Sequence, residues 1–383
     1  MARALYIHWP FCAKKCPYCD FNSHVRAEVA YGLWERSLLA DMRHEAKLAG
    51  GEALTSIFFG GGTPSLMPPA LVATLLREAE HLWGFAPDIE ITLEANPSSV
   101  EAANFVGLAD AGVNRVSLGV QSLDDEALRF LGRLHGVDEA LAALDTAQQA
   151  FKRVSFDLIY ALPNQTAKAW REQLKRALAF GTDHLSLYQL TIEPGTRFAT
   201  DVRRGAFTPL EDDPAADLFA VTHELTQAAG IPAYEVSNHA RPGEESRHNL
   251  TYWRYQDYCG IGPGAHGRRS NLATVRHKKP ENWLSATSQH GHGLQEESAL
   301  TPCDQAVEAL VMGLRLAEGV DIDALATRFG LRDKELLDHE RLLLYSQLGM
   351  IEKVGSRVTV SDAGMPLLDA LLGELVYPAL VLT

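Results

Sequence analysis

The chain has 383 residues, room for a main domain with an appendage. Its 46% hydrophobic and 22% charged residues are the balance of an ordinary soluble globular protein, not of a disordered or fibrous one. With 35 basic against 49 acidic residues the net charge is −14, which argues against a general nucleic-acid binder, because that role needs a cationic footprint.

A strand-then-helix alternation is expected from the first residues. Residues 4–9 (ALYIHW) read as a strand and 28–48 as a helix; 54–59 (LTSIFF) as a strand and 69–82 as a helix. Then come 89–94 (IEITLE) with a helix at 99–111, 114–120 (NRVSLGV) with helical sequence at 124–149, and 153–160 (RVSFDLIY) with a helix at 167–180. The last unit is 184–190 (HLSLYQL) with a helix at 214–229. Six βα units predict a parallel sheet with helices over its outer face, too few for a closed eight-stranded barrel. A partial (β/α)6 barrel and a doubly wound sheet both fit, and both put chemistry at the C-terminal ends of the strands.

Residues 236–300 lose periodicity and are rich in Gly, His, Asn and Arg, so a loop-rich connector is expected after a core spanning 1–235. Residues 301–383 read as helices at 303–317, 321–329 and 333–348, then a hairpin turning at Gly355 and Ser356, a winged-helix-like C-terminal domain. Over 300–383 there are 7 Lys/Arg against 13 Asp/Glu, so a docking or lid role fits better than DNA binding. The apolar end, LLDALLGELVYPALVLT, is broken by Asp369, Glu374 and Pro378 and reads as a docked tail, not an anchor. No secretory start and no run near ~18 apolar residues is evident, and a cytoplasmic location is expected.

Five cysteines, three of them within eight residues, do not make a disulfide framework. Cys12, Cys16 and Cys19 stand at CxxxCxxC spacing just after the first strand. Three thiolates on one loop suit three corners of a [4Fe–4S] cluster and leave the fourth iron open to chelate the amino and carboxylate groups of a methionine moiety. Half a zinc ribbon is the competing interpretation, but it needs a second cysteine pair. Cys259 and Cys303 stand alone and are expected to be small buried hydrophobes.

YIHWPFCAKKCPYCDF resembles the signature of the HemN/HemW branch of the radical SAM superfamily, and further motifs follow in order through most of the chain. Gly60-Gly61-Gly62-Thr63-Pro64 follows the second strand; no Gly-Lys-Ser/Thr follows it, so it is not a phosphate loop. Glu94 ends the third strand and Gln121 the fourth, Arg133 follows in GRLH, and Asp157 lies in the fifth strand, in series on consecutive βα units. Each alone is commonly a structural salt bridge or cap; in series they mark a shared site. The resemblance implies that Tyr6, Gly61 and Glu94 contact one S-adenosylmethionine (SAM). It carries Tyr18, Gly62, Thr63, Gln121, Arg133 and Asp157 to a second SAM.

Two functions from different classes follow. Oxygen-independent coproporphyrinogen III oxidases of this branch carry a further cysteine where this chain has Phe21, and an N-terminal extension before the cluster strand. The HemW-like group of heme chaperones carries HNxxYW, here His248-Asn249-Leu250-Thr251-Tyr252-Trp253. Resemblance to that group implies heme as a cofactor with His248 or Tyr252 as candidate ligands, and His239 and His266 as rivals. A histidine capping a turn, with its aromatics packed inward, is the plain structural alternative. The resemblance also implies recipient haemoproteins, respiratory enzymes among them, a carrier able to form a homodimer, and peripheral membrane contact through those recipients. A radical SAM enzyme acting on some other substrate is the third option.

Overall fold

A computed structural model describes residues 4–50 and 52–376. Six strands, β1 (Ala4–Trp9), β2 (Leu54–Gly61), β3 (Phe85–Ala95), β4 (Arg115–Gln121), β5 (Arg153–Tyr160) and β6 (His184–Gln189), lie parallel and side by side in chain order. The strand register shows why they form an incomplete barrel of a particular kind. Successive side chains point to opposite faces. One face carries Ile57, Phe59, Leu93, Val116, Leu118, Phe156, Leu158, Leu185 and Leu187, all in the main hydrophobic core shared with the covering helices. The other face carries Tyr6, Phe58, Thr92, Glu94, Ser117, Asp157 and Ser186, matched across the strands. The outer face is thus an apolar seal, and the inner face a largely polar wall.

The sheet does not stop at β6. β7 (Asn238–Ala240) pairs antiparallel with β6. On the opposite edge β8 (Tyr258–Ile261) pairs parallel with β1, and β9 (His266–Arg269), β10 (Leu272–Arg276) and β11 (Leu294–Ala299) extend it as an antiparallel meander, giving eleven strands. Residues 236–300, expected to be a loop-rich connector, therefore supply strands to both edges and two helices, Arg247–Trp253 and Pro280–His290. Two arginines that broke the segment's periodicity are buried in ion pairs. Arg276 meets Asp41 at 2.8 Å and Glu45 at 2.7 Å, and Arg269 meets Glu45 and Glu297, each at 2.7 Å.

Three helices expected to be continuous are broken. The 99–111 segment divides into Ser99–Ala102 and Phe105–Asp110, and the 124–149 segment into Asp125–Phe130 and Val137–Ala150, across a turn where Gly132 has φ +70°. Residues 333–348 divide at Leu337, which is drawn out into an extended bridge with Val376, and Asp338 caps the helix that follows. The C-terminal region is largely helical around its own core and includes a three-stranded sheet of Val320–Asp321, Arg357–Val360 and Ile351–Val354. Helix Leu368–Leu375 buries four leucines; residues 377–383 of the expected docked tail lie outside the described residues.

Asp41 accepts hydrogen bonds from Arg276 Nε (2.8 Å), Trp283 Nε1 (3.2 Å) and the N–H groups of Gly262 (3.1 Å) and Gly293 (3.0 Å). Removing one member of such a buried set strands the other charges. Asp41→Ala is expected to cost about 3–5 kcal/mol. Arg254→Ala, which breaks a half-exposed pair with Glu318, should cost under about 1 kcal/mol. Urea unfolding of both variants checks this, and equal midpoints would contradict it.

Candidate functional site

Cys12 ends a two-residue strand, Phe11–Cys12, that pairs with His24–Val25, so the loop between them leaves and returns at one place. Within it the Cys19 N–H donates to the Cys16 carbonyl at 3.2 Å. All three thiols are free and partly exposed, and burial pushes those of Cys12 and Cys19 up. Among the described residues, no three His, Cys, Asp or Glu side chains converge on a single metal ion. A cubane cluster does not require convergence on a point, because it spreads its thiolates over separate irons. Cys259 is buried in the main core, and Cys303 packs half-buried against the C-terminal one.

The glycine run at the end of β2 is stitched to this loop. The Gly62 N–H donates to the Trp9 carbonyl at 2.7 Å and the Thr63 N–H to that of Phe11 at 2.8 Å. Gly61 has φ +111°, and a side chain there would strike the His8 ring; one at Gly62 would come within 2.6 Å of the Phe11 carbonyl. The Gly61 N–H donates to Glu94 Oε2 at 3.1 Å, fixing the carboxylate at the end of β3.

A second cluster gathers around Arg133, in the turn after Phe130. Its guanidinium donates to Asn96 Oδ1 (2.5 Å) and the Gly119 carbonyl (2.8 Å), and reaches the Tyr18 hydroxyl (3.4 Å) and Cys16 Sγ (3.5 Å). Its buried Nε has no partner among the described residues. Asn96 also donates to Thr63 Oγ1 at 3.1 Å, and Gln121, at φ +69°, lays its amide beside Gly119. Asp157 accepts from Ser117 at 3.1 Å on the inner wall.

Between the cysteine loop and the β8–β10 edge opens a cleft of about 550 Å³. Tyr6, Gly61, Glu94 and Tyr252 line it together; Cys12, Cys16, Cys19, Tyr18, Gly62, Thr63, Gln121, Arg133, Asp157 and His248 do not. Asn22 ties its two walls, donating from Nδ2 to the carbonyls of Pro263 (2.8 Å) and Lys278 (2.9 Å).

The Radical SAM superfamily model matches residues 6–177, and the HemN C-terminal domain model matches residues 300–367. The chain is 41% identical over 326 residues to the mouse mitochondrial radical S-adenosyl methionine domain-containing protein 1, covering 83% of this chain and 74% of that protein. It is 41% identical over 322 residues to the heme chaperone HemW of Escherichia coli, covering 82% and 83%. The chain belongs to the HemN/HemW branch of the radical SAM superfamily. The fold agrees: coproporphyrinogen III oxidase (HemN) from E. coli superposes over 97% of this chain and 89% of that one with a TM-score of 0.81, at 23% identity. Membership in the superfamily implies a fold built to hold a [4Fe–4S] cluster and SAM.

The histidines of this HemN/HemW-branch chain differ sharply in setting. His248 lies buried on the Arg247–Trp253 helix, with Nδ1 3.0 Å from Ser56 Oγ and Nε2 2.7 Å from the Tyr252 hydroxyl, its ring stacked on Phe58. Burial lowers it to about 3. The geometry is that of a packed structural histidine with both ring nitrogens engaged. His239 is buried in β7, away from the cleft, and lowered to about 3. His266 is exposed at the start of β9 and lines the cleft. Residues that the sequence did not single out prove central: His8, one strand period from Tyr6 and bonded to its hydroxyl (2.9 Å), Asn22 and Asn96. The asparagines were visible in CDFN and TLEANP, but nothing in those strings shows that they bridge distant segments.

Burial, and next the Asp157 charge, raise Glu94 from 4.5 to about 7; burial raises Asp157 from 3.8 to about 6. The native state keeps the Glu94 proton to about pH 7, whereas the unfolded chain loses it above 4.5. Stability therefore falls as pH rises through that window and levels off above it. Glu94→Gln, which keeps an acceptor for the Gly61 N–H, should match the parent near pH 5 and exceed it at pH 8 by roughly 3 kcal/mol. Unfolding of the ligand-free protein at both pH values checks this; parallel behaviour would contradict it.

Proposed function

We propose that this chain is a radical-SAM-type heme chaperone that holds a [4Fe–4S] cluster on Cys12, Cys16 and Cys19, binds SAM beside it, and delivers heme to haemoproteins, respiratory enzymes among them. The observation that carries this is the shared cleft. The segment that carries the cysteines forms one wall through Lys15 and residues 20–24, Tyr6, Gly61 and Glu94 form the floor, and Tyr252, Tyr258 and His266 stand on the other wall; the three thiols lie beside this lining, not in it. The similarity to heme chaperones runs over most of the chain, which supports the reading.

The residues present fit the groups. Three partly exposed thiols on a loop closed at its base can grip a cluster without displacing core side chains. The two glycines leave backbone where any side chain would collide. When bound, the cluster supplies an open iron for the methionine amino and carboxylate groups and an electron for the sulfonium. This chain's own residues position and seal. Glu94 presents a carboxylate to ribose hydroxyls, its place set by the Gly61 N–H. Tyr6 closes the floor, with its hydroxyl held by His8. Arg133 sits as a buried cation against Cys16 and Tyr18, with its Nε unpartnered among the described residues; with Gln121, Thr63, Gly62 and Asp157 it would take a second SAM.

Anaerobic reconstitution with iron and sulfide, then SAM and hemin titrations on one sample, tests the proposal. Iron–sulfur absorption should appear, change with SAM, and disappear in Cys12→Ala, Cys16→Ala and Cys19→Ala proteins. Hemin should be taken up and passed to an apo-haemoprotein. No conversion of coproporphyrinogen III to protoporphyrinogen is expected; turnover under strict anaerobiosis would replace the carrier proposal with the oxidase.

A further inference from the structure

Resting on the heme proposal above, we infer that His266 is the axial ligand of the heme iron, and that Lys15 and Lys278 at the same rim take the two propionate carboxylates. The ligand class is a planar metallotetrapyrrole bearing two carboxylates.

Accessibility selects the imidazole. An iron ligand must present a ring nitrogen to open space. His248 presents neither, since Ser56 and Tyr252 occupy both sides of a buried ring. His8 is likewise buried between the Tyr6 hydroxyl and the Asn22 carbonyl, and His239 does not reach the cleft. His24 lines the cleft as well, but its Nε2 is engaged by Asn22 Oδ1 at 3.2 Å and its ring also bonds the Lys278 backbone. The His266 ring faces the cleft and has no hydrogen-bond partner among the described residues. Burial and the nearby Lys278 charge lower its pKa, so the neutral form that can coordinate is the one present at neutral pH.

Rigidity supports the same choice. His266 is set in the sheet, paired with Val275 of β10, and the Ala265 carbonyl before it accepts from the Arg276 N–H at 3.0 Å. Arg276 is itself locked by Asp41 and Glu45. A ligand mounted this way holds its nitrogen in a fixed direction.

The surroundings suit a macrocycle. Phe21, which occupies the position of the oxidases' further cysteine, is 58% exposed at the rim and offers a bare aromatic face. Tyr252 and Tyr258 pack edge to face at 4.6 Å on the opposite wall. Lys15 and Lys278 are exposed on the two walls, with Asp20 the one carboxylate among the exposed lining groups. Two cations at one cleft in a chain of net charge −14 fit two carboxylates. The heme then occupies the rim, and SAM the floor at Gly61 and Glu94.

The test uses the full chain with its cluster reconstituted. Hemin bound to the parent should give an imidazole-ligated spectrum. His266→Ala and His266→Met should each lose it, and free imidazole should restore it in the alanine protein, which a purely structural role would not allow. Lys15→Gln with Lys278→Gln should weaken hemin binding at least about tenfold and leave binding of hemin dimethyl ester unchanged. Hemin uptake with an unaltered spectrum in both His266 variants overturns the ligand assignment and leaves the heme proposal standing. Equal loss for hemin and its diester in the lysine variant overturns the propionate assignment. No hemin uptake by the parent overturns the heme proposal and this inference together.

Discussion

Asp41 sits on the Tyr31–Ala49 helix, in sequence far from every residue it binds. Its two oxygens collect a guanidinium, an indole N–H and two backbone N–H groups, all from residues 262–293. Glu45, one turn along, takes Nη2 of Arg276 and also Arg269. A buried ion cluster is a poor source of net stability, since desolvation consumes most of the Coulomb gain. What it supplies here is registry. The β8–β10 edge cannot slide against β1 without unpairing two fully buried carboxylates, and every site feature on that edge inherits its position from this constraint.

The inner face of the barrel carries the complementary burden. Serine, threonine and carboxylate groups at alternate positions of β3 to β6 leave a wall that cannot close into an apolar core, so the space above it stays available. Glu94 and Asp157 meet there with both carboxyls raised, a sign that charge is unwelcome on the wall until something compensates it. The apolar outer face bears the folding load. That division lets a polar, partly strained site exist in a stable sheet.

The same division governs what could be read in the sequence. IEITLE, RVSFDLIY and HLSLYQ alternate because one face is sealed and the other is not, so the six strands were legible, and Gly61 and Glu94, singled out by their motifs, do come together in one cleft. The strands after 236 were not legible, because they are short and carry Arg268, Arg269 and Arg276, so the segment shows no periodicity, and the partners that bury those arginines lie far away in sequence. The broken helices escaped for a similar reason: Leu337 leaves helix only because Val376, nearly forty residues on, offers it a bridge. His248 shows the limit of a motif. HNxxYW marks a constrained helix, and nothing in the string tells a histidine that points into the core from one that points into the cleft.

That helix also explains the C-terminal region. Arg247–Trp253 lies between the sheet and the C-terminal core. On one side His248 meets Ser56 and Phe58 of β2. Just past its other end Tyr255 donates to Glu308 at 2.5 Å and takes the Arg268 guanidinium over its ring at 3.6 Å, while Arg254 forks onto Glu318 and Arg315 lies over Trp253. Arg328 adds a bond to the Tyr255 carbonyl at 2.8 Å. The HemN C-terminal domain is therefore a buttress behind the helix that carries Tyr252. It bonds to the cleft wall from behind. Tyr252 projects into the cleft only because its helix is gripped from both sides, so the two regions determine one wall jointly.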